Sequence, residues 1–325
     1  MLPEASRYAQ TMMFAMPGVI VSILVMQLLR GMGDTITPLH ALLLSNLLAC
    51  VITPAFISGW AGLPCLGVTS AAISTIVAII TSFVYVGWRM RRAGHPLTPS
   101  RLLLRALRID PHVLSVVLKI GVPMGVQMVV ASIAQLVLVS LVNRFGSEAT
   151  AAYGAIYQLM SYAQFPAMSI GIATSILGAQ AIGAGRVEQL GALTRTGMQM
   201  NVLVTGPLVV AGYLFSDRLL AMFITDPSVL TLAVSFLRII LWSSVVYGWA
   251  AVLSGIMRAS GTVYVPTAIA VFCIAVIEVP SAYALSHSVG LRGVWMAYPI
   301  ASTSVLLQTL FYKLVWSSRT ASQLI

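Results

Sequence analysis

The stretch Arg30-Gly-Met-Gly33-Asp-Thr-Ile-Thr-Pro38 returns 228 residues later as Arg258-Ala-Ser-Gly261-Thr-Val-Tyr-Val-Pro266. In each copy an apolar run precedes the arginine and another follows the proline. The match continues downstream, where Pro54 corresponds to Pro280 at a spacing of 226 residues. Solenoid repeats have periods of roughly 20–50 residues, whereas many membrane transporters are built by duplicating a group of helices. The sequence therefore predicts a duplicated bundle of membrane helices.

The composition indicates an integral membrane protein. Apolar residues make up 59% of the chain and charged residues 8%, with a mean hydropathy of +0.96, whereas a soluble domain is about 25% charged. Part of the net charge of +10 is concentrated in one loop, at Arg89, Arg91, Arg92, Arg101, Arg105 and Arg108. The positive-inside rule predicts that this loop is cytoplasmic, and it could also bind anionic lipid headgroups. No aromatic platform accompanies the arginines, so no nucleic-acid partner is expected.

The fold class predicted from the apolar runs is all-α, a polytopic bundle with about nine transmembrane helices. A spanning helix needs about 20 mostly apolar residues. The runs that satisfy this rule are 9–29, 38–58, 67–88, 114–142, 150–180, 192–215, 229–256, 264–286 and 293–316.

The repeat predicts how these helices are grouped. Runs one to three match runs seven to nine, whereas runs four to six have no partner in the chain. The symmetry is complete only if three further helices precede residue 1, which gives two six-helix lobes related as a parallel repeat. We therefore expect residues 1–90 to form part of an amino-terminal lobe and residues 114–325 a whole carboxy-terminal lobe. Residues 91–113 would be the basic cytoplasmic linker between them.

Several motifs resemble the MATE (multidrug and toxic compound extrusion) transporters. The loop Arg30–Pro38 resembles the one between the fourth and fifth helices of that family, and the segment 121–127 resembles its seventh helix. The segment 178–186 resembles the end of its eighth helix, and 290–295 the entry to its twelfth. The resemblance covers essentially all 325 residues. It implies that the first three helices of the family are missing from this chain.

This resemblance implies a secondary active exporter of amphipathic, often cationic compounds. Its coupling ion would be H⁺ or Na⁺, with no other cofactor and no bound metal, and the absence of a P-loop argues against ATP. The family's ion site cannot be transferred residue by residue. Thr53 stands where many bacterial members have an Asp, and Ala131 stands where NorM-type members have a Glu. The other acidic residue commonly tied to coupling lies in the family's first helix, which the resemblance implies is missing here.

Glu278 is the one carboxylate well inside a predicted span. A charged side chain within a membrane helix costs roughly 2.5–3.5 kcal/mol on insertion scales, and such residues commonly have a function. A carboxyl group that loads and unloads a proton would suit an ion-coupled exporter. The alternative is a neutral, structural Glu278 that is hydrogen-bonded to a backbone carbonyl freed by Pro280.

The run 150–180 carries the second group of candidates. Tyr153, Tyr157 and Gln164 share one helical face at spacings of 4 and 7, and Gln158 and Tyr162 form an adjacent pair. Such side chains could line a cavity and offer aromatic faces to cationic compounds. They could equally be helix–helix contacts, in which a polar side chain contributes about 0.6 kcal/mol on average.

Three other polar side chains lie within predicted spans. Gln127 and Gln135 are eight residues apart on one helical face. Like the side chains of the run 150–180, they could line a cavity or make contacts between helices. Asn46 is a single polar residue in mid-span and a further candidate for the transport pathway, although a hydrogen bond between helices is the favoured role.

Four functions remain open from the sequence. The leading interpretation is an exporter in the bacterial inner membrane, a monomer whose partners are amphipathic or cationic small molecules and membrane lipids. A flippase for lipid-linked oligosaccharides or polysaccharides would need a cavity rich in arginine, yet Arg238 is the single arginine near mid-span. An inactive fragment is the third possibility. An intramembrane lipid transferase is the fourth, and the clustered Asp or His residues that it would need are not found, so no enzymatic activity is expected.

Overall fold

The computed structural model describes residues 2–59, 67, 69–94, 98 and 110–316, and every regular element among them is helical. The first three helices are α1 Leu2–Gly31, α2 Ile36–Ser58 and α3 Thr69–Arg92. The next six are α4 Pro111–Asn143, α5 Ser147–Gly183, α6 Gln189–Leu214, α7 Ser216–Ala221, α8 Pro227–Ile240 and α9 Ser243–Ala259. The remainder comprises α10 Tyr264–Phe272, a π-helical segment Cys273–Glu278, α11 Val279–Val289, α12 Leu291–Ala301, α13 Ser304–Phe311 and a second π-helical segment Tyr312–Trp316.

These elements make nine membrane-spanning stretches in the described part of the chain. Eight are continuous and long and apolar enough to cross a membrane, among them Tyr264–Val289 and Leu291–Trp316. The ninth is the pair α8 and α9, which is bent by 41°. The predicted all-helical fold with about nine spans is therefore confirmed.

The chain divides into two compact units, residues 1–110 and 111–325. The division falls within the predicted linker 91–113, whose role between two lobes stays a prediction. Arg101, Arg105 and Arg108 of the basic loop lie outside the described residues. In the first unit, α1, α2 and α3 enclose a small apolar core of Met26, Leu29, Ala41, Val86 and Met90.

The two copies of the repeated loop have the same backbone turn. Gly33 and Gly261 have φ values of +92° and +81°, a conformation that glycine adopts without steric penalty. Each copy also closes the preceding helix with a bond across six residues, Asp34 N–H to Leu29 C=O at 3.0 Å and Thr262 N–H to Met257 C=O at 3.1 Å. These are Schellman turns. A proline then occupies the third position of the next helix in both copies, so the repeat in sequence is a repeat in local structure.

In the second unit, α5 and α9 pack closely because glycines face each other across their contact. A Cβ placed on Gly255 would lie 2.4 Å from the Gly171 carbonyl oxygen, and one on Gly171 would lie 2.9 Å from the backbone of Ala251. Small residues at such contacts let helix backbones approach in a membrane, where lipid provides little hydrophobic drive for association. This close approach fixes the position of α5, which carries Tyr153, Tyr157 and Gln164 on one face.

The bend between α8 and α9 has an identifiable cause. The hydroxyl of Tyr213, at the end of α6, donates to the backbone carbonyl of Arg238 at 2.9 Å, and the backbone N–H of Trp242 interacts with the same hydroxyl. These two backbone groups are four residues apart and would bond to each other in a regular helix. A side chain inserted into the helical ladder is a recognised cause of sharp bends.

We expect Gly255→Ala to destabilise the second unit. The added methyl group meets the Gly171 carbonyl, and overpacking of this kind typically costs about 1–3 kcal/mol. The matched control is Gly191→Ala in α6, where a Cβ would meet nothing within 4 Å. Thermal unfolding in detergent should show a lower midpoint for Gly255→Ala and an unchanged or higher one for Gly191→Ala. Equal midpoints for the two variants would contradict the packing described above.

Candidate functional site

Five aromatic side chains of the second unit, Tyr153, Tyr157, Phe236, Trp295 and Tyr298, form a contiguous aromatic cluster. The Trp295 ring centroid lies 5.2 Å from that of Tyr153, 5.3 Å from that of Phe236 and 6.3 Å from that of Tyr298. Tyr157 stacks on Tyr153 at 6.2 Å with an angle of 11° between the ring planes. The cluster therefore joins α5, α8 and α12 through ring contacts.

Two hydrogen bonds tie this cluster to its neighbours. The hydroxyls of Tyr153 and Tyr298 lie 2.8 Å apart, and either can be the donor. The hydroxyl of Tyr157 donates to Gln135 Oε1 at 3.3 Å, which links α5 to α4. Tyr153 is 4% exposed and Trp295 1%, whereas Tyr157 is 45% exposed. The buried rings hold the cluster together, and the Tyr157 ring is the accessible one.

The cluster forms one wall of a cavity of about 100 Å³, which we call the aromatic pocket. Its lining includes Tyr153, Tyr157, Gln164, Trp295 and Tyr298. The structure thus brings together the three residues that helical spacing places on one face of α5, namely Tyr153, Tyr157 and Gln164.

Gln158 and Tyr162 do not line this pocket. Both are exposed, and Tyr162 has 52% of its surface accessible. They lie on a different face of α5 from the pocket, as their spacing from Tyr153 requires. Any role for them in the transport pathway stays a prediction.

Glu278 lies at the edge of the aromatic cluster. It is the last residue of the π-helical segment Cys273–Glu278 and is half-buried. Its carboxyl group interacts electrostatically with the phenols of Tyr153 and Tyr298. π-Helical segments inside α-helices are frequent at functional sites, and this one places a carboxyl group beside the aromatic pocket.

In the described residues, the Glu278 carboxyl does not make the hydrogen bond to a backbone carbonyl that the structural alternative requires. The Ser281 hydroxyl donates to the backbone carbonyl of Ile277 and lies 3.1 Å from that of Glu278 itself. Pro280 has no N–H to donate within the helix, and the Ser281 hydroxyl bonds back to carbonyls of the preceding turn. Within the part of the chain that the structure describes, the Glu278 carboxyl has no hydrogen bond and no ion pair. It is therefore available to a proton or a cationic ligand.

A larger apolar cavity of about 580 Å³ lies between α4 and α11. Its lining includes Leu136, Leu141, Val279, Pro280 and Tyr283, with Arg144 at the end of α4. Val279 and Pro280, which line this cavity, directly follow Glu278 in the chain.

Two other candidate residues, Gln127 and Asn46, do not line either cavity as described. Gln127 is half-buried on α4, about two turns before Gln135, and lines neither cavity as far as the structure describes them. Asn46 lies in the first unit, where its Nδ2 donates to the Leu42 carbonyl of its own helix at 2.9 Å. The expectation of a bond between helices is wrong for Asn46, because this exposed side chain reaches the carbonyl four residues earlier.

Comparison with known proteins agrees with this architecture. The family model MatE matches residues 123–284, which include α5 and Glu278. The probable multidrug resistance protein YoeA of Bacillus subtilis is 38% identical over 324 residues, which cover 99% of this chain and 70% of that protein. This chain belongs to the MATE family. A second B. subtilis relative, the probable multidrug resistance protein YpnP, is 27% identical over 90% of this chain and 64% of its own length.

Solved structures show the same fold for this MATE family member. An outward-facing multidrug resistance MATE transporter of the MOP superfamily matches with a TM-score of 0.85 and 21% identity, over 97% of this chain and 69% of that one. A MOP superfamily transporter from Pyrococcus furiosus gives a TM-score of 0.85 over 98% of this chain and 70% of the other. The predicted family resemblance is therefore confirmed, and the chain is a multi-pass membrane transporter.

Sequence reasoning missed Trp295, Tyr298 and Phe236. Trp295 and Tyr298 are three residues apart and therefore share a helical face, directly after the Gly293-Val294 pair. That spacing was a usable signal for the first two. No comparable sequence signal marks Phe236, because a single aromatic residue in an apolar run is ordinary in a membrane helix.

Proposed function

We propose that this MATE family chain is a secondary active multidrug efflux transporter. It exports amphipathic, cationic compounds across the bacterial inner membrane in exchange for H⁺ or Na⁺. The observation that carries the proposal is a half-buried carboxyl group, Glu278, that has no hydrogen bond or ion pair in the described residues and acts electrostatically on two phenols of the aromatic pocket. The names of the two Bacillus subtilis relatives, both probable multidrug resistance proteins, support the same class of substrate.

The site provides three kinds of contact for such a substrate. The accessible Tyr157 ring offers a π face to a cation, an interaction of about 0.5–2 kcal/mol depending on desolvation. The Glu278 carboxylate offers a negative charge in a region of low dielectric, where charge–charge attraction is stronger than in water. The apolar cavity between α4 and α11 can receive the hydrocarbon part of an amphipathic molecule. We therefore expect organic cations with an apolar body to bind best.

Exchange follows from competition for one carboxylate. A cation binds to the ionised form of Glu278, and a proton that neutralises the carboxylate removes this attraction. Proton entry from outside would therefore release the substrate, and proton loss to the cytoplasm would restore the site. H⁺ is the simpler coupling ion, since one titratable carboxyl group is sufficient for it. No further cofactor is part of the proposal, and the partners are the substrates and membrane lipids, with a monomer as the working unit.

A flippase for lipid-linked anionic substrates is the alternative with an observation in its favour. Arg144 lies at the end of the larger apolar cavity, an arrangement that could hold an anionic headgroup with a chain below it. The lining given for the aromatic pocket contains no arginine or lysine. If Arg144→Gln abolished transport of a lipid-linked anion and left organic cations unaffected, the flippase would be the better assignment.

We expect Glu278→Gln to abolish coupled export while the protein remains folded, because Gln keeps the size of the side chain and loses its titration. The measurement is ethidium accumulation in an efflux-deficient bacterium that expresses the 325-residue chain, with a protonophore or removal of Na⁺ to collapse each gradient. The variant should accumulate dye like cells without the chain. Export by the variant at the wild-type rate would refute the role of Glu278, and export that survives loss of both gradients would refute ion coupling. If the wild-type chain itself fails to export but still binds the dye, the chain is an inactive fragment.

We expect Tyr157→Ala to weaken binding of an organic cation by roughly 2- to 30-fold, the equivalent of one cation–π contact. Binding can be followed by ethidium fluorescence with the purified chain in detergent. Tyr264→Ala is the matched control, since Tyr264 is the first residue of α10 and is 61% exposed. Equal affinities for the two variants would show that the aromatic pocket does not hold the cation.

A further inference from the structure

The hydroxyl pair of Tyr153 and Tyr298 has one more proton than its own bond uses. The two oxygens lie 2.8 Å apart on α5 and α12, and the bond can run in either direction. Two phenols carry two O–H protons, and a single bond between them uses one. In the described residues neither hydroxyl has another hydrogen-bond partner. One O–H is thus left to point at whatever acceptor lies nearby.

The carboxyl group of Glu278 acts electrostatically on both phenols and, in the described residues, has no hydrogen bond to either of them. The π-helical segment that carries it packs against α4, α10, α11 and α12. The titratable groups on these four helices are His112, Lys119, Tyr264, Tyr283, His287, Arg292 and Tyr298. Tyr298 is the one that both interacts with Glu278 and lines the aromatic pocket. It therefore belongs to the wall of the aromatic pocket and also responds to the charge of the carboxyl group.

The rings of this pair are held in place, so their hydroxyl protons are the parts free to respond. Trp295 packs against Tyr153 and Tyr298, with ring centroids at 5.2 Å and 6.3 Å, and is almost fully buried. An ionised Glu278 attracts the spare O–H proton, which fixes the direction of the bond between the phenols. A protonated Glu278 exerts no such attraction. The protonation state of the carboxyl group can thus change the orientation of the hydroxyl groups in the pocket wall while the rings stay in place.

We propose that Tyr153 and Tyr298 are positioning residues that couple the protonation of Glu278 to cation binding in the aromatic pocket. This inference rests on the proposed function, because it assumes that a cation and a proton compete at this site. The paired hydroxyls stabilise the ionised carboxylate through their dipoles. Their O–H orientation, which depends on the charge of Glu278, in turn changes the electrostatic potential at the wall of the aromatic pocket. Phenylalanine at either position keeps the ring and removes this link.

The test is the pH dependence of ethidium affinity, measured by fluorescence with the purified 325-residue chain in detergent. For the wild type the affinity should fall as the pH is lowered, because a protonated Glu278 no longer attracts the cation. For Tyr298→Phe the midpoint of this fall should move to higher pH by up to about 0.4 unit, less than the equivalent of one typical net hydrogen bond, because the phenol acts on the carboxylate through its dipole. Tyr153→Phe should move it in the same direction. Tyr264→Phe, outside the pocket, should leave it unchanged.

Two further results separate this inference from the function on which it rests. The affinity of Glu278→Gln for ethidium should not depend on pH. If this variant retains the wild-type pH dependence, a proton and a cation do not compete at Glu278, and the proposed coupling through the phenol pair is refuted as well. If Glu278→Gln loses the dependence but both phenylalanine variants keep the wild-type midpoint, the function stands and the phenol pair has no coupling role. Thermal unfolding checks each variant, and if Tyr298→Phe does not fold, Tyr153→Phe tests the same pair from α5.

Discussion

A carboxyl group inside an apolar span is the constraint around which the second unit is arranged. Inserting such a charge costs roughly 2.5–3.5 kcal/mol, and Glu278 is half-buried with no protein group bonded to it in the described residues. The helix that carries it departs from α geometry at Cys273–Glu278, just before Pro280. The surroundings are phenols rather than a counter-charge. A fixed cation would lock the carboxylate in its ionised form, whereas phenols leave it able to exchange a proton for a cationic ligand.

The rest of the unit positions this carboxyl group by close backbone packing. Gly171 and Gly255 let α5 and α9 approach until a methyl group would not fit between them, and so they fix the position of α5. The Tyr213 hydroxyl bonds to the Arg238 carbonyl where the α8–α9 span bends, and Phe236, one turn before that bend on α8, stacks on Trp295. The scaffold thus uses small residues where helices touch and hydroxyl groups where the backbone ladder is interrupted. Both devices suit a lipid environment, in which every backbone polar group needs a protein partner.

The fold was largely predictable because it depends on signals that are local in sequence. Apolar runs of sufficient length gave all nine spans, and the repeated Arg-x-x-Gly-x₄-Pro loops gave turns with left-handed glycines. The helical face shared by Tyr153, Tyr157 and Gln164 was predictable from spacing for the same reason. The π-helical segment was not, because the apolar pattern of Cys273–Glu278 does not distinguish a π-helical turn from an α-helical one. The contact of Tyr153 with Tyr298 was also unpredictable, because 145 residues separate the two side chains and only the tertiary packing of α5 and α12 brings them together. For Asn46 a hydrogen bond between helices was expected, but its side-chain amide instead donates to the Leu42 carbonyl of its own helix.

The central claim is that a cation and a proton exclude each other at Glu278, and proton release on binding tests it most directly. The purified chain in weakly buffered detergent solution is mixed with tetraphenylphosphonium, a permanent cation with no titratable group, and the pH change is recorded across a range of starting pH. The account predicts release of at most one proton per chain, greatest near the midpoint of the affinity–pH curve, and none from Glu278→Gln. Saturating binding with no proton release by the wild type, or the same release from Glu278→Gln, would contradict it.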